Sequence, residues 1–371
     1  MKYHFCTCFD NNYLIYGCAL YDSLRRIVAD FTLYIVCLDE TVRENLATLG
    51  WPEAVLIPLS EIEADDPEYA ATAATRSRVE YIFTLSPVMP LYLLRKYPEI
   101  DILAYLDSDL YFFASPEVLY QEMGDRSLLI FEHDFYREES FRARDAGRFN
   151  MAFQLYRNDP TGRACLNHWR RECLEWCFDR MEDGKFADQK YLEEWPEKFG
   201  AVIASNHSGG GLAPWNCGKH RFNLSGTAPE ADGKPVIFYH YQGCKALEMN
   251  VLLAGSHLFL RYLSNPLADY FYGTYFRALQ KNKKMLCAKL PRERLQTTYL
   301  FRRDRAEATA VRRHSILYHF LHRYFCKIPL LVRGDLTWRG RRVFPLIFRL
   351  FFYHVPAELT SQASAPPPES V

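Results

Sequence analysis

An α/β chain with a mostly parallel central sheet is what this sequence predicts, on two observations. Over the first 265 residues short apolar runs alternate with helical patterns, and one such run, Ile102-Leu103-Ala104-Tyr105-Leu106, ends in the acidic triplet Asp107-Ser108-Asp109. Alternation of this kind builds βαβ units: parallel strands, helices on both faces, and ligands gathered at the carboxyl ends of the strands.

Element by element, Tyr3–Phe9 reads as a first strand, Tyr13–Ile27 as a helix and Thr32–Leu38 as a second strand. Glu40–Leu49 follows as a helix, Ala54–Ile57 as a third strand and Val79–Lys96 as a helix leading into the strand Ile102–Leu106. Asp10 stands after the first strand, in Phe9-Asp10-Asn11-Asn12-Tyr13, where a carboxylate can cap the following helix.

The acidic triplet is the most informative feature. Side chains alternate along a strand, so residues two apart share a face, and a turn opening at Asp107 can bring both carboxylates onto one ion. Hard oxygen ligands suit Mg²⁺ or Mn²⁺ bridging nucleotide phosphates. The plainer reading is a helix cap or a solvated turn. A second block, Val236-Ile237-Phe238-Tyr239-His240-Tyr241-Gln242-Gly243-Cys244-Lys245, places His240 131 residues beyond Asp109. Mn²⁺ accepts imidazole alongside carboxylate, so a neutral His240 at the end of an apolar strand is a sensible third ligand; the plainer reading is a core histidine bonded to a backbone carbonyl. Gly243 then allows close backbone approach to a phosphate, and Lys245 brings a point charge to it.

Tyr105-Leu106-Asp107-Ser108-Asp109-Leu110-Tyr111-Phe112, followed by Ser115-Pro116-Glu117, resembles the DxD strand of GT-A-fold glycosyltransferases, which bind a nucleotide-diphospho-sugar through a divalent metal. The second block resembles the His-x-x-Gly-x-x-Lys motif of the glycogenin-like (family 8) group, with the lysine one residue closer here. The resemblance spans about residues 1–250. It implies a GT-A, Rossmann-like fold, metal ligation by Asp107, Asp109 and His240, and a diphosphate contact from Lys245. It also puts the nucleoside base near Asp10.

Three further segments extend the likeness. Gly147-Arg148-Phe149-Asn150-Met151-Ala152-Phe153-Gln154-Leu155 resembles the Phe-Asn-x-Gly sugar-contacting strand, with Asn150 in place and Ala152 where the glycine stands. Phe186-Ala187-Asp188-Gln189-Lys190-Tyr191 resembles the Asp-Gln block under the donor sugar; Asp188 reads equally as a helix cap. Leu212-Ala213-Pro214-Trp215-Asn216 resembles the Trp-Asn turn on the acceptor side, where Trp215 either stacks on a sugar ring or anchors the turn in the core. Arg76 and Arg78 precede the long helix, within reach of a diphosphate or on a solvated helix start. The loop His207-Ser208-Gly209-Gly210-Gly211 matches no phosphate-binding P-loop.

With 371 residues and 49% hydrophobic content the chain can bury a large core. Its 11 cysteines are scattered, which favours reduced, buried thiols over a disulfide framework. The start, Met1-Lys2-Tyr3-His4-Phe5, leads straight into a strand without the pattern of a secretory signal, so a cytoplasmic catalytic part is expected.

Zero net charge hides an asymmetry. Residues 1–280 hold 27 Lys+Arg against 39 Asp+Glu, a balance of −12; residues 281–349 hold 18 against 4, or +14; Glu358 and Glu369 add −2. In the basic stretch Lys283-Lys284, Arg302-Arg303, Arg312-Arg313 and Arg341-Arg342 alternate with aromatic and aliphatic runs such as Ile316–Leu321. Its longest apolar run, Val343–Tyr353, is too short to span a bilayer as a helix. It suits either peripheral contact with the inner face of an anionic membrane or docking on the acidic part of the chain. No recognised nucleic-acid motif accompanies the charge.

The reading is a catalytic domain over 1–265, a basic, aromatic, helical extension over 266–355 and a disordered tail over 356–371. Its function is metal-dependent transfer of a sugar from a nucleotide diphosphate, a UDP-sugar by the resemblance, to a saccharide or lipid-linked acceptor. Cofactors are Mn²⁺ or Mg²⁺. The resemblance implies retention of configuration, and Asp188 is the candidate beside the anomeric carbon. Alternatives with the same metal logic are a sugar-nucleotide nucleotidyltransferase or pyrophosphatase, and an inactive nucleotide-binding scaffold.

Overall fold

The structure, a computed structural model, describes residues 2–226, 228–248, 251–253, 264–295 and 353–354. The chain divides into two compact units, residues 1–240 and 241–371.

The first unit opens with β1 (Tyr3–Phe9), α1 (Leu14–Ile27), β2 (Phe31–Cys37), α2 (Glu40–Leu49) and β3 (Ala54–Pro58). Then come α3 (Leu59–Asp65), α4 (Pro67–Thr72), α5 (Arg78–Lys96), β4 (Ile102–Leu106) and β5 (Leu110–Phe112). After α6 (Glu117–Met123) and β6 (Leu128–Glu132), the chain forms α7 (Phe141–Ala146), β7 (Phe149–Arg157), α8 (Pro160–Glu175), α9 (Trp195–Phe199) and β8 (Val202–Ser205). Three two-residue strands, β9 (Phe222–Asn223), β10 (Glu230–Ala231) and β11 (Lys234–Pro235), precede β12 (Phe238–His240).

Local chemistry sets the helix ends. Asp39 accepts a hydrogen bond from Val42 N–H at 2.7 Å to start α2, and Gly50, at φ +64°, ends it in the left-handed region open to glycine. Ser77 and Glu80 form a reciprocal capping box at the start of α5. That helix carries Pro87 and Pro90 in its interior and still packs against α8, because twelve of its residues are buried. Tertiary burial outweighs the lost backbone bonds. Trp169 and Trp195 lie edge to face at 5.2 Å in this layer, fully buried. Emptying such an aromatic site costs roughly 3–5 kcal/mol.

The central sheet has seven strands in the order β3-β2-β1-β4-β7-β6-β8. β1 is parallel to β2 and β4, β2 to β3, and β6 to β8; β7 runs antiparallel to both β4 and β6. This is the expected mixed α/β architecture with a mostly parallel sheet flanked by helices. Because β7 reverses direction once on each side, β4 and β6 point the same way as β1. Their carboxyl ends therefore share one edge.

On that edge β5 pairs antiparallel with β12, with Phe238 opposite Phe112 and His240 opposite Leu110. Helix α1 holds β5 in place: Phe112 N–H donates to Ser23 Oγ at 3.1 Å, and the Arg26 guanidinium donates to the Phe112 carbonyl at 2.8 Å. Beneath, the rings of Phe112, Phe131, Phe153 and Phe238 pack with centroids 5.1 to 6.3 Å apart. Gly209 lets the neighbouring loop pass: a Cβ there would lie 1.9 Å from the Pro235 carbonyl oxygen.

The ten cysteines among the described residues are free thiols, buried except for Cys8 and Cys287. In the second unit Lys245–Glu248 pairs antiparallel with Val251–Leu253, which pairs with Tyr353–His354. A helix spans Asn265–Lys289, where the Tyr241 ring stacks on Tyr275 at 3.8 Å and its hydroxyl donates to the Phe271 carbonyl at 2.8 Å. Residues 296–352, which hold most of the basic stretch, lie outside the described residues, as does the tail from 355 onward. Among the described residues no helix is long and apolar enough to cross a membrane.

Candidate functional site

The turn between β4 and β5 is Asp107-Ser108-Asp109, closed by Leu110 N–H donating to the Asp107 carbonyl at 3.3 Å. Asp107 N–H in turn donates to the Ala152 carbonyl on β7 at 2.9 Å, so the first carboxylate hangs from a paired backbone. Since His240 sits opposite Leu110, the register of two short strands brings the imidazole beside residues 107 to 109. His240 N–H donates to the Leu212 carbonyl at 2.8 Å, which fixes the strand end. The predicted trio thus assembles. His240 Nε2 lies 3.2 Å from Asp109 Oδ1 and 3.6 Å from Asp107 Oδ2, and the ligand atoms all lie within 4.8 Å of one another.

The electrostatics of the trio favour a cation. Burial and the neighbouring Asp109 charge raise the Asp107 pKa, although His240 and a hydrogen bond from the Tyr105 hydroxyl at 3.1 Å pull the other way. Burial works against protonated His240, yet Asp109 and then Asp107 outweigh it and raise its pKa as well. Two carboxylates face one imidazole that carries at most one positive charge, so the trio has more negative charge than its mutual pairing can offset. His240 is 4% exposed, and its Nδ1 has no hydrogen-bond partner among the described residues. A buried polar atom left unpaired is costly. Two carboxylates and an imidazole with ligand atoms this close fit Mn²⁺, or Mg²⁺ with fewer nitrogen contacts.

Asp188 belongs to the same acidic neighbourhood. It is buried, and its pKa is pushed up to about 7, foremost by burial and also by the Asp107 charge, against a hydrogen bond from Ser86. Its side chain does not cap the helical turn Gln189–Glu194 that follows. The preceding Ala187, buried and at φ +48°, holds the chain in a region that residues with a Cβ seldom adopt. The Cys8 thiol is pushed up to about 12 by burial and then by Asp107, Asp10 and Asp188, which gathers three of the predicted acids around one side chain of β1.

The other predicted residues have protein partners. Asp10 accepts from Asn12 N–H at 3.0 Å and Tyr13 N–H at 3.3 Å, capping the turn Asn11–Tyr13, and pairs with Arg78 at 3.8 Å. Arg78 also donates to the Leu38 carbonyl at 3.2 Å, while Arg76 donates to the Leu174 and Glu175 carbonyls and lies over the Phe178 ring. Asn150 accepts from Ala152 N–H and contacts His133 Nε2 at 3.2 Å. Asn216 is buried, accepts from Ala213 N–H, and donates to the His133 and Gly211 carbonyls. Gln189 donates to the Ala146 carbonyl. Trp215 is buried, its ring edge-on to His240 at 5.4 Å. Lys245 opens a short strand of the second unit, and its side chain lies outside what the structure describes. Sequence reading missed Tyr105, although its place two residues before Asp107 puts it on the same strand face. Cys8, Ser86 and His133 carried no comparable signal.

A second group of metal-ligating side chains, His168, Glu172 and Glu194, differs in kind. The Lys198 ammonium lies 3.1 Å from Glu194 and 2.5 Å from His168 Nε2, so a cation of the chain's own already occupies it.

What fold and site define is an α/β protein with a carboxylate–carboxylate–imidazole cluster on the carboxyl edge of a mostly parallel sheet. The chain belongs to the family of the Bacillus subtilis (strain 168) proteins YfnF and YfnD. It is 31% identical to YfnF over 253 residues, 66% of this chain and 83% of that one, and 30% identical to YfnD over 244 residues, 65% and 78%. Both relatives carry the description "uncharacterized protein". No family model matches. Similar solved structures include the galactosyltransferase LgtC in complex with donor and acceptor sugar analogs, with a TM-score of 0.48 and 17% identity over 80% of this chain and 100% of that one. Mouse xyloside xylosyltransferase 1 gives a TM-score of 0.43 and 16% identity over 66% and 98%. The Streptococcus pneumoniae glycosyltransferase GlyE gives 0.41 and 15% over 78% and 65%.

If the trio holds a divalent cation, Asp109→Asn and His240→Ala should each weaken Mn²⁺ binding by more than the roughly 10–100-fold typical of losing an outer-shell partner. Calorimetric titration with Mn²⁺ checks this; wild-type affinity in both variants would remove these residues from the site.

Proposed function

We propose that the chain is a metal-dependent glycosyltransferase that moves a sugar from a nucleoside diphosphate, a UDP-sugar by its sequence resemblance, to a saccharide or lipid-linked acceptor. One observation carries the reading: two carboxylates and a buried imidazole converge at the carboxyl edge of the sheet, their ligand atoms within 4.8 Å of one another. Asp107, Asp109 and His240 would hold Mn²⁺ or Mg²⁺, which supplies positive charge against the donor's diphosphate. Departure of that diphosphate builds charge on the leaving oxygen, and preorganised positive groups act most strongly there. Lys245 has the right chemistry to add to this. Asp10 and Arg78 flank the end of β1, suited to the nucleoside and diphosphate.

Asp188 is the candidate group beside the anomeric carbon. A carboxyl with a pKa near 7 is poised to change protonation during a reaction at neutral pH. Retention of configuration is what the family 8 likeness implies. Asn150, Gln189, Trp215 and Asn216 shape the walls around the sugar, with Asn216 and Asn150 acting through the backbone they hold.

Nucleotide release tests the reading. The full-length protein with Mn²⁺ is expected to release UDP from at least one of UDP-glucose, UDP-galactose and UDP-N-acetylglucosamine, and to stop when EDTA is added. Release unaffected by EDTA, or none from any donor, would sink it.

The +14 balance over residues 281–349 further supports peripheral attachment to an anionic membrane, near a lipid-linked acceptor. Each near-surface Lys or Arg contributes on the order of 1 kcal/mol, screened beyond about 8 Å at physiological salt. Full-length protein is expected to sediment with phosphatidylserine-containing vesicles at low salt and to detach progressively as salt is raised. Equal recovery with purely zwitterionic vesicles would contradict the membrane reading.

A further inference from the structure

Helix α7 is an odd investment for the fold. None of its residues Phe141–Ala146 is buried, and Phe141 is among the most exposed large apolar side chains described. Burial therefore does not hold it. Its C-terminal carbonyls, however, are gripped from one place. Lys190 Nζ donates to the Arg144 carbonyl at 2.7 Å and approaches the Ala143 carbonyl at 3.5 Å and Glu193 at 3.0 Å, while Gln189 donates to the Ala146 carbonyl. Glu193 also accepts from Arg148 N–H at 2.9 Å, one residue beyond the helix's end at Gly147. The Lys190 side chain is only 13% exposed. An ammonium has three donors, and a desolvated one is tolerated when all three find acceptors, as here.

The grip starts from the residues next to Asp188. Ala187 N–H donates to the Phe178 carbonyl at 3.1 Å, Trp169 Nε1–H donates to the Asp188 carbonyl at 2.8 Å, and Lys190 N–H donates to the Phe186 carbonyl at 3.3 Å. A turn with Ala187 in the left-handed region tends to relax unless its surroundings over-determine it. Lys190 supplies that constraint from the solvent side, and Trp169 from the core. On the other side of the clasp, the chain runs from Gly147 directly into β7, whose Ala152 carbonyl receives Asp107 N–H. One side chain thus ties the Asp188 turn to the strand that supports the acidic turn.

We propose that Lys190 is a positioning residue: by clasping the C-terminal carbonyls of α7 and Glu193 it locks the 187–190 turn, directs the Asp188 carboxylate toward the Asp107 cluster, and couples it to segment 141–148. The proposal deepens the transferase reading and rests on it for what Asp188 faces. Lys190 itself touches no substrate.

Lys190→Met and Lys190→Arg in the full-length protein test this. With the UDP-sugar that wild type turns over, Lys190→Met is expected to lower kcat for UDP release by between about tenfold and a hundredfold, the cost of a misplaced reacting group. Donor KM and UDP affinity in Mn²⁺ should stay within about twofold, because the metal trio is untouched. Lys190→Arg, which keeps charge and donors, should recover most of the rate. Hydrogen–deuterium exchange on the same variants supplies a readout independent of activity: peptides covering 141–148 and 187–190 should both exchange faster in Lys190→Met, with 102–112 unchanged. An unaltered kcat, or kcat and UDP affinity falling together, overturns the proposal. So does faster exchange confined to 141–148, which would make the clasp a support for α7 alone. If wild type releases UDP from no donor, the transferase reading fails, and the exchange experiment still decides whether Lys190 couples the two segments.

Discussion

Surplus negative charge, held where backbone geometry will not let it disperse, is the constraint on which the rest of this site depends. Asp107 and Asp109 are separated by one serine in a turn fixed to β7 and β5, and the partner that reaches both is an imidazole with little exposure to water. The Leu110–Asp107 turn bond and the Asp107–Ala152 bond fix the backbone from which both side chains project. Burial, and then the Asp109 charge, raises the Asp107 pKa, and the two carboxylates raise that of His240 against its burial. A divalent cation relieves the same surplus more completely than a proton.

Much of the surrounding polar structure reads as scaffolding for that arrangement. His240 is placed by β-pairing with β5 and by the Leu212 carbonyl, and the loop carrying Leu212 is tied to β6 through the Asn216 amide, which donates to the His133 carbonyl. Asn150 secures Ala152, whose carbonyl secures Asp107. Side chains that touch no ligand can therefore set the distances that a ligand meets. Rigid positioning of this kind is worth more in a site than on a surface, because small displacements of charged groups change their coupling steeply.

The cluster was legible in the sequence because its members sit at the ends of apolar strands, where local pattern and chemistry coincide. Asp107, Asp109 and His240 stood out through metal-ligand chemistry at strand ends together with the likeness of their two motifs to known blocks. Of the early elements, β1 to β4 with α1, α2 and α5 were legible because their periodicity is strong; the short α3 and α4 were not read, and the pairing of β1 with β4 departs from chain order. The antiparallel β7 was not, since the apolar run Phe149–Tyr156 announces a strand and says nothing about direction, which is decided by long-range pairing with β4 and β6. Asn150 and Asn216 illustrate a second limit. Each is a polar residue at a resembled position, yet the structure commits their amides to backbone partners, a fact no sequence pattern discloses. Asp10 proved to be a cap, as strand-to-helix aspartates often are, while still standing beside Arg78 and Cys8.

The proposed function asks an acidic site to accept a diphosphate, and two anions repel unless a cation lies between them. The dependence of UDP affinity on Mn²⁺ is therefore the most direct measurement of the account. Calorimetry on the full-length protein should find UDP bound strongly in Mn²⁺ and at least about a hundredfold more weakly, ~2.7 kcal/mol, in EDTA. Equal UDP affinity with and without the metal would contradict it.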